Sequence, residues 1–135
     1  MQTYIGVKRI QAEPMERDGK PGYKVRYADD YESWSPKEVF ERAYFPIDTE
    51  DSLTQGDIDR FIEAGKVECE TIKERCTFTV ATMPTKFLIS KTSACVDKSR
   101  YNVEIGRKAC MDHIKNEVWQ YLGFVLCWAK YGLRK

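Results

Sequence analysis

The apolar positions change their period several times along the 135 residues, and each change marks an element. From Thr3 to Ala12 the β-branched Ile5, Val7 and Ile10 recur in an extended run that stops at Pro14, which predicts a first strand. Residues 16–22 contain the breakers Gly19, Pro21 and Gly22 and predict a turn. Tyr23, Val25 and Tyr27 then alternate with Lys24, Arg26 and Ala28, the pattern of a half-buried strand. Asp29-Asp30 supplies turn chemistry before Tyr31-Glu32-Ser33-Trp34, so the three segments read as an antiparallel meander.

The period then becomes helical. Ser35-Pro36-Lys37-Glu38 offers a capping hydroxyl, proline at the first helical position and a glutamate three residues after the cap. A short helix is predicted there, with Val39, Phe40 and Ala43 on its apolar side and an end near Pro46. Residues 47–56 are acidic and poor in apolar groups, as in an exposed connector. Ile58, Phe61 and Ile62 share a helical face up to Gly65, with Thr54 or Asp57 as its cap. Between Val67 and Ser93, Cys76, Phe78 and Val80 alternate, then Phe87 and Ile89, around a turn at Pro84, which predicts two or three strands. Asp97 is placed to cap a long last helix reaching about residue 131, in which Val103, Cys110, Ile114, Val118, Val125 and Ala129 recur at helical spacing and Gly123 could bend or split the rod. The expected fold is α+β, one domain over residues 1–135: a meander and short helix at 1–46, the connector at 47–56, and a helix, strands and the long helix at 57–135.

Charge narrows the functional classes. Lys and Arg number 22 against 21 for Asp and Glu, a net charge of +1, whereas a protein that grips a phosphate backbone carries a basic excess. Long nucleic acid is therefore an unsuitable partner, while a small anion, which needs only a few donors, is allowed. Cys69, Cys76, Cys95, Cys110 and Cys127 form no CxxC and have no nearby histidine pair, so buried reduced thiols are expected. No signal-peptide pattern opens the chain, and no apolar stretch approaches the ~18 residues of a membrane span. A reducing cytoplasm is the expected location, with no membrane contact.

The usual catalytic signatures, G-x-S-x-G, HExxH, a Walker loop and a glycine-rich dinucleotide fingerprint, are missing. The single histidine, His113, reads as a helix-surface imidazole, and Cys95 as a buried thiol with no base placed for it. Binding is therefore expected rather than catalysis, with no catalytic residue, metal or cofactor. Tyr23, Tyr27, Tyr31, Trp34, Phe40, Tyr44 and Phe45 read mainly as core, although a ring beside Lys24 and Arg26 would set a stacking wall next to anion donors. Ser90-Lys91-Thr92-Ser93, followed by Arg100, Asn102, Arg107 and Lys108 at the start of the last helix, brings hydroxyls, an amide and cations to a helix N-terminus, chemistry suited to phosphate or ribose. Val118, Trp119, Leu122, Phe124, Val125, Leu126 and Trp128 nearly surround that helix, more apolar surface than one small sheet covers, which predicts a homo-oligomer.

Two groups of motifs also resemble a known family. Tyr4-Ile5-Gly6-Val7-Lys8 runs into Ala12-Glu13-Pro14-Met15, and Gly22-Tyr23-Lys24-Val25-Arg26-Tyr27 leads into Tyr31-Glu32-Ser33-Trp34-Ser35-Pro36-Lys37-Glu38-Val39-Phe40. Thr92-Ser93-Ala94-Cys95-Val96-Asp97, Glu104-Ile105-Gly106-Arg107-Lys108 and the stretch from Trp119 to Gly123 follow. These resemble a family of small bacteriophage proteins that includes the first-type phage anti-Thoeris proteins, sponges for the cyclic ADP-ribose isomer made by bacterial TIR immune enzymes. The 16–22 turn is shorter than in longer relatives, where an insertion carries an aromatic that could help close a pocket.

The resemblance implies an antiparallel sheet with helices, assembled into dimers or assemblies of dimers with recessed pockets between subunits. It implies capture, without degradation, of a cyclic ADP-ribose isomer and, in some relatives, of cyclic oligonucleotides such as a cyclic trinucleotide, in the cytoplasm of the infected host. On that reading Phe87 and a tyrosine stack on a base. Arg26, Lys91, Arg107 and Lys108 meet phosphates, and Thr92, Ser93 and Asn102 supply polar groups, the last two to ribose. The rival reading is a phage inhibitor that binds a host defence protein directly.

Overall fold

The computed structural model describes residues 1–133 and is α+β: two three-stranded antiparallel sheets and three α-helices, the last of them long. The chain forms two compact units, one spanning Leu53–Gly123 and the other combining Met1–Ser52 with the chain from Phe124 onward. The boundary at Ser52 falls inside the acidic 47–56 stretch.

In the Met1–Ser52 stretch, β1 (Gln11–Pro14), β2 (Gly22–Arg26) and β3 (Glu32–Pro36) pair in that order, and α1 (Lys37–Ala43) follows. The hairpin between β1 and β2 closes on Asp18 and Gly19, both left-handed with φ of 52° and 76°, inside reciprocal 2.9 Å hydrogen bonds between Arg17 and Lys20. Two left-handed central residues match the right-handed twist of the strands they join. Val25 and Phe40 are buried. Tyr23 stacks on Phe40 at 4.1 Å between centroids, and Phe40 meets Tyr44 at 4.9 Å, so much of the aromatic run packs on itself.

Two expectations for this stretch are corrected. The first strand begins at Gln11 and not Thr3: β2 ends at Arg26 opposite Gln11, and the chain then turns at Asp29-Asp30, where the Tyr27 amide bonds Tyr31 instead of continuing the ladder. Ser35 does not cap α1: it lies in β3 opposite Tyr23, its hydroxyl turned to the Pro36 carbonyl, and the helix starts at Lys37 without a side-chain cap. Strand pairing has claimed the backbone that the cap would need. Pro36 is tolerated because β3 is an edge strand, where a missing N–H need not break the ladder.

In Leu53–Gly123, α2 (Gln55–Glu63) precedes β4 (Lys66–Ile72), β5 (Cys76–Thr82) and β6 (Leu88–Ala94), paired in that order. Thr54 caps α2 through a reciprocal capping box with Asp57. The helix then yields to β4 at Gly65, where a Cβ would lie 1.9 Å from the Thr82 carbonyl oxygen. The long helix α3 (Val103–Tyr131) runs unbroken through Gly123. Ile114 and Val118 of α3, Ile58 and Ile62 of α2, Ala81 of β5 and Ile89 of β6 form the core, with Met83 beside them.

Asp97 does not start α3. Its carboxylate instead caps the short 3₁₀ turn Lys98–Arg100 through Ser99, and Asn102 caps the long helix, its Oδ1 accepting from the amides of Glu104 and Ile105 at 2.9 and 3.3 Å. Tyr101 separates the two turns with an extended backbone, ψ 132°, held by its own hydroxyl bonds to the sheet. Of the five thiols, all free, Cys110 is buried as expected, whereas Cys69, Cys76 and Cys95 are half-buried and Cys127 is exposed. Among the described residues no helix is long and apolar enough to cross a membrane.

Candidate functional site

A cleft of roughly 170 Å³ opens where β6 runs out and α3 begins, lined by Ser93, Ala94, Cys95, Arg100, Tyr101, Asn102, Ile105 and Gly106. Its back wall is set by two contacts. Gly106 brings α3 against β5 so closely that a Cβ would stand 2.1 Å from the Thr77 hydroxyl oxygen. The Tyr101 hydroxyl bonds Thr77 and Thr71 at 2.8 and 2.9 Å, tying the chain before the helix to β4 and β5. Thr77 is fully buried and satisfied, so this wall is rigid polar structure rather than a reactive group.

The mouth carries the chemistry. Arg100 is 85% exposed at its side chain and sits 4.0 Å from Asp97. Asp97 is held below its ordinary pKa, first by the side-chain hydrogen bond from Ser99 and then by the Ser99 backbone amide. A carboxylate that accepts two hydrogen bonds keeps its charge, and a salt bridge this exposed holds the Arg100 guanidinium only weakly. The Cys95 thiol turns to the Asp97 carbonyl at 3.1 Å. Asn102 has already committed its carbonyl oxygen to the helix cap, which leaves its amide NH₂ as the group it can offer to a ligand.

The residues expected to bind are only partly gathered. Ser93 and Asn102 line the cleft together. Strand alternation splits the 90–93 segment: Lys91 and Ser93 lie on the half-buried face of β6, while Ser90 and Thr92 are exposed on the other. Lys91 is engaged by Glu117 of α3, and Lys108 by Asp112 one turn along the same helix at 3.1 Å. Arg107 reaches β4, donating to Cys69 Sγ at 3.2 Å. Phe87 stands on the β5–β6 turn, edge-on to Tyr121 with centroids 5.5 Å apart. Arg26 belongs to the other unit, where it and Lys24 share Glu32 at 3.3 and 3.6 Å. A groove of roughly 200 Å³ there is lined by Gln11, Ala12, Glu13, Lys24, Arg26 and Glu32, without the aromatic wall expected beside the two cations. His113 is exposed on α3.

Tyr101, Ile105 and Gly106 carry no sequence signal for a cleft. Tyr101 reads as one aromatic in a polar stretch, and Gly106 as a weak point in a helix, until the neighbouring strand is known. Among the described residues no group of three or more His, Cys, Asp or Glu side chains is placed to hold a metal ion.

The model of a phage protein family, described as N4 Gp49/phage Sf6 gene 66, matches residues 40–129, more than half of the chain. The chain belongs to that family. The match takes in all three strands of the second sheet, the cleft and nearly all of α3, and it stops short of the β-meander that precedes α1. No curated protein and no solved structure matches the chain.

Proposed function

We propose that this phage-family protein sequesters a cyclic nucleotide immune signal, a cyclic ADP-ribose isomer or, as a second class, a cyclic trinucleotide, and releases it unchanged. The observation that carries the reading is the cleft at the start of α3. Its lining brings together an exposed guanidinium, Arg100, with Ser93 and Asn102 and the apolar, exposed Ala94 and Ile105. That combination suits an anionic ligand with sugar hydroxyls.

At roughly 170 Å³ the cleft is smaller than the ~300–1,000 Å³ of sites that enclose a ligand of this size. A second copy would complete it, and α3 offers surface for one: Tyr121, Phe124, Val125 and Tyr131 are all exposed, Phe124 at 71%. The proposed assembly is therefore a homo-oligomer with recessed sites, acting in the cytoplasm of the infected host and needing no cofactor. The same apolar row supports the second reading, a phage inhibitor that docks on a host defence protein.

Incubation with the product of a TIR enzyme, then heating and assay of the supernatant, separates the readings. A sponge returns intact ligand, an enzyme returns a product, and a host-protein inhibitor depletes none. Calorimetric titration with a cyclic ADP-ribose isomer and a cyclic trinucleotide completes the test, and binding of neither overturns the sponge reading.

A further inference from the structure

The run from Thr3 to Pro14 carries the β-branched Ile5, Val7 and Ile10 of an extended segment, yet only Gln11–Pro14 is paired, and only on one side. Residues 1–10 have no regular secondary structure, and Tyr4 and Ile5 are 85% and 80% exposed. β1 is an edge strand. Its ladder phase follows from the 2.9 Å bond of the Met15 amide to Gly22: alternation directs Gln11 and Glu13 to β2 and turns the N–H and C=O of Ala12, and of Ile10 before it, outward. An open edge preceded by further strand-forming residues is a template for another strand.

The charges on this edge say which strand fits. Arg9, Gln11 and Glu13 share one face by the two-residue period, and Arg9 and Glu13 are exposed. Laid antiparallel on a copy of itself with the two-fold axis at Gln11, the run places Arg9 opposite the partner's Glu13, twice, and Ile10 opposite Ala12. Shifting the axis along the run takes Arg9 away from Glu13. Arg9 spends one nitrogen on the Glu50 carbonyl at 3.3 Å, and a guanidinium has five N–H donors in all. Pro14, without an N–H, ends the outward ladder on one side of each pair.

We propose that the Lys8–Pro14 edge is an isologous interface with a second copy of this chain, an antiparallel strand pair centred on Gln11 and registered by Arg9–Glu13 ion pairs. The test is a charge swap read by sedimentation equilibrium. Arg9→Glu and Glu13→Arg each set like charges opposite one another and should weaken self-association about tenfold or more, with circular dichroism unchanged because both side chains are exposed. The double variant Arg9→Glu/Glu13→Arg restores the pairing and should recover wild-type association. In parallel, Gln11→Cys should form an interchain disulfide with itself under mild oxidant, faster than Lys20→Cys at the hairpin tip, because opposed residues of an antiparallel pair lie within disulfide reach. Single variants that associate like wild type, a double variant no better than the singles, or a Gln11→Cys chain that crosslinks no faster than Lys20→Cys would each overturn the proposal.

Discussion

Gly106 on α3 lies against Thr77 on β5 with no room for a Cβ, which would stand 2.1 Å from the threonine hydroxyl oxygen and 2.8 Å from its Cβ. The same hydroxyl bonds Tyr101, so one buried threonine fixes both the close approach of the helix and the chain that leads into it. The cleft walls depend on that pair.

Gly106→Ala should therefore destabilise the fold by about 1–3 kcal/mol, as overpacking against a side chain with no free volume does. Gly123→Ala is its control, since nothing lies within 4 Å of a Cβ at that position. It should stabilise by about 0.5–1 kcal/mol through helix propensity alone. Urea denaturation of the two variants should give opposite signs.

Arg100→Ala should weaken binding of a cyclic ADP-ribose isomer roughly ten- to a hundredfold, the loss of one charge-assisted hydrogen bond worth about 1.5–3 kcal/mol. Arg107→Ala should weaken it less, because that guanidinium is turned to Cys69 on β4. Lys37→Ala, at the start of α1, should leave affinity unchanged. Calorimetric titration compares all three, and equal binding by Arg100→Ala and wild type removes Arg100 from the site.

The Asp97 carboxyl is held below its ordinary value by Ser99, so its contribution to stability is fully present above the unfolded value, near 3.8, and is lost as the pH falls through the lower folded value. Ser99→Ala should move the Asp97 midpoint up toward the ordinary value in an NMR titration. It should also loosen the Lys98–Arg100 turn at the cleft mouth, seen as faster amide exchange at Ser99.

Lys73 and Glu74 join β4 to β5 with φ of 54° and 62°, a left-handed turn built without asparagine or glycine. Replacing the pair by Asn-Gly should raise stability by about 1 kcal/mol, because those residues adopt the turn with little strain. The exposed Lys98–Glu74 ion pair, at 3.2 Å, is lost in the change and contributes little. Thermal melting measures the gain.

Phe124→Asp should shift the mass of the protein in light scattering toward 15.8 kDa if the exposed row on α3 carries an assembly interface. A wild-type chain that scatters only as a monomer at micromolar concentration would remove both the interface and the shared-pocket form of the proposed function.

The elements were legible in the sequence wherever local chemistry alone decides them. Thr54 or Asp57 offers a cap for α2, the breakers Gly19, Pro21 and Gly22 announce the first turn, and Cys110, Ile114 and Val118 at four-residue spacing announce the buried face of α3. What the sequence could not settle was competition between local and distant partners. Ser35 has the chemistry of a cap and Asp97 that of a helix start, but the ladder opposite Tyr23 took the first, and the Tyr101 bonds to Thr71 and Thr77 moved the second to Asn102. The site divided in the same way. Ser93 and Asn102 could be read together because both flank the turn into α3, whereas Lys91, Arg107 and Lys108 were claimed by Glu117, Cys69 and Asp112. Residue type determines which chemistry a position can offer. Only the tertiary structure decides whether a neighbour has already taken it, because hydrogen bonds and ion pairs are satisfied by groups close in space and blind to distance along the chain.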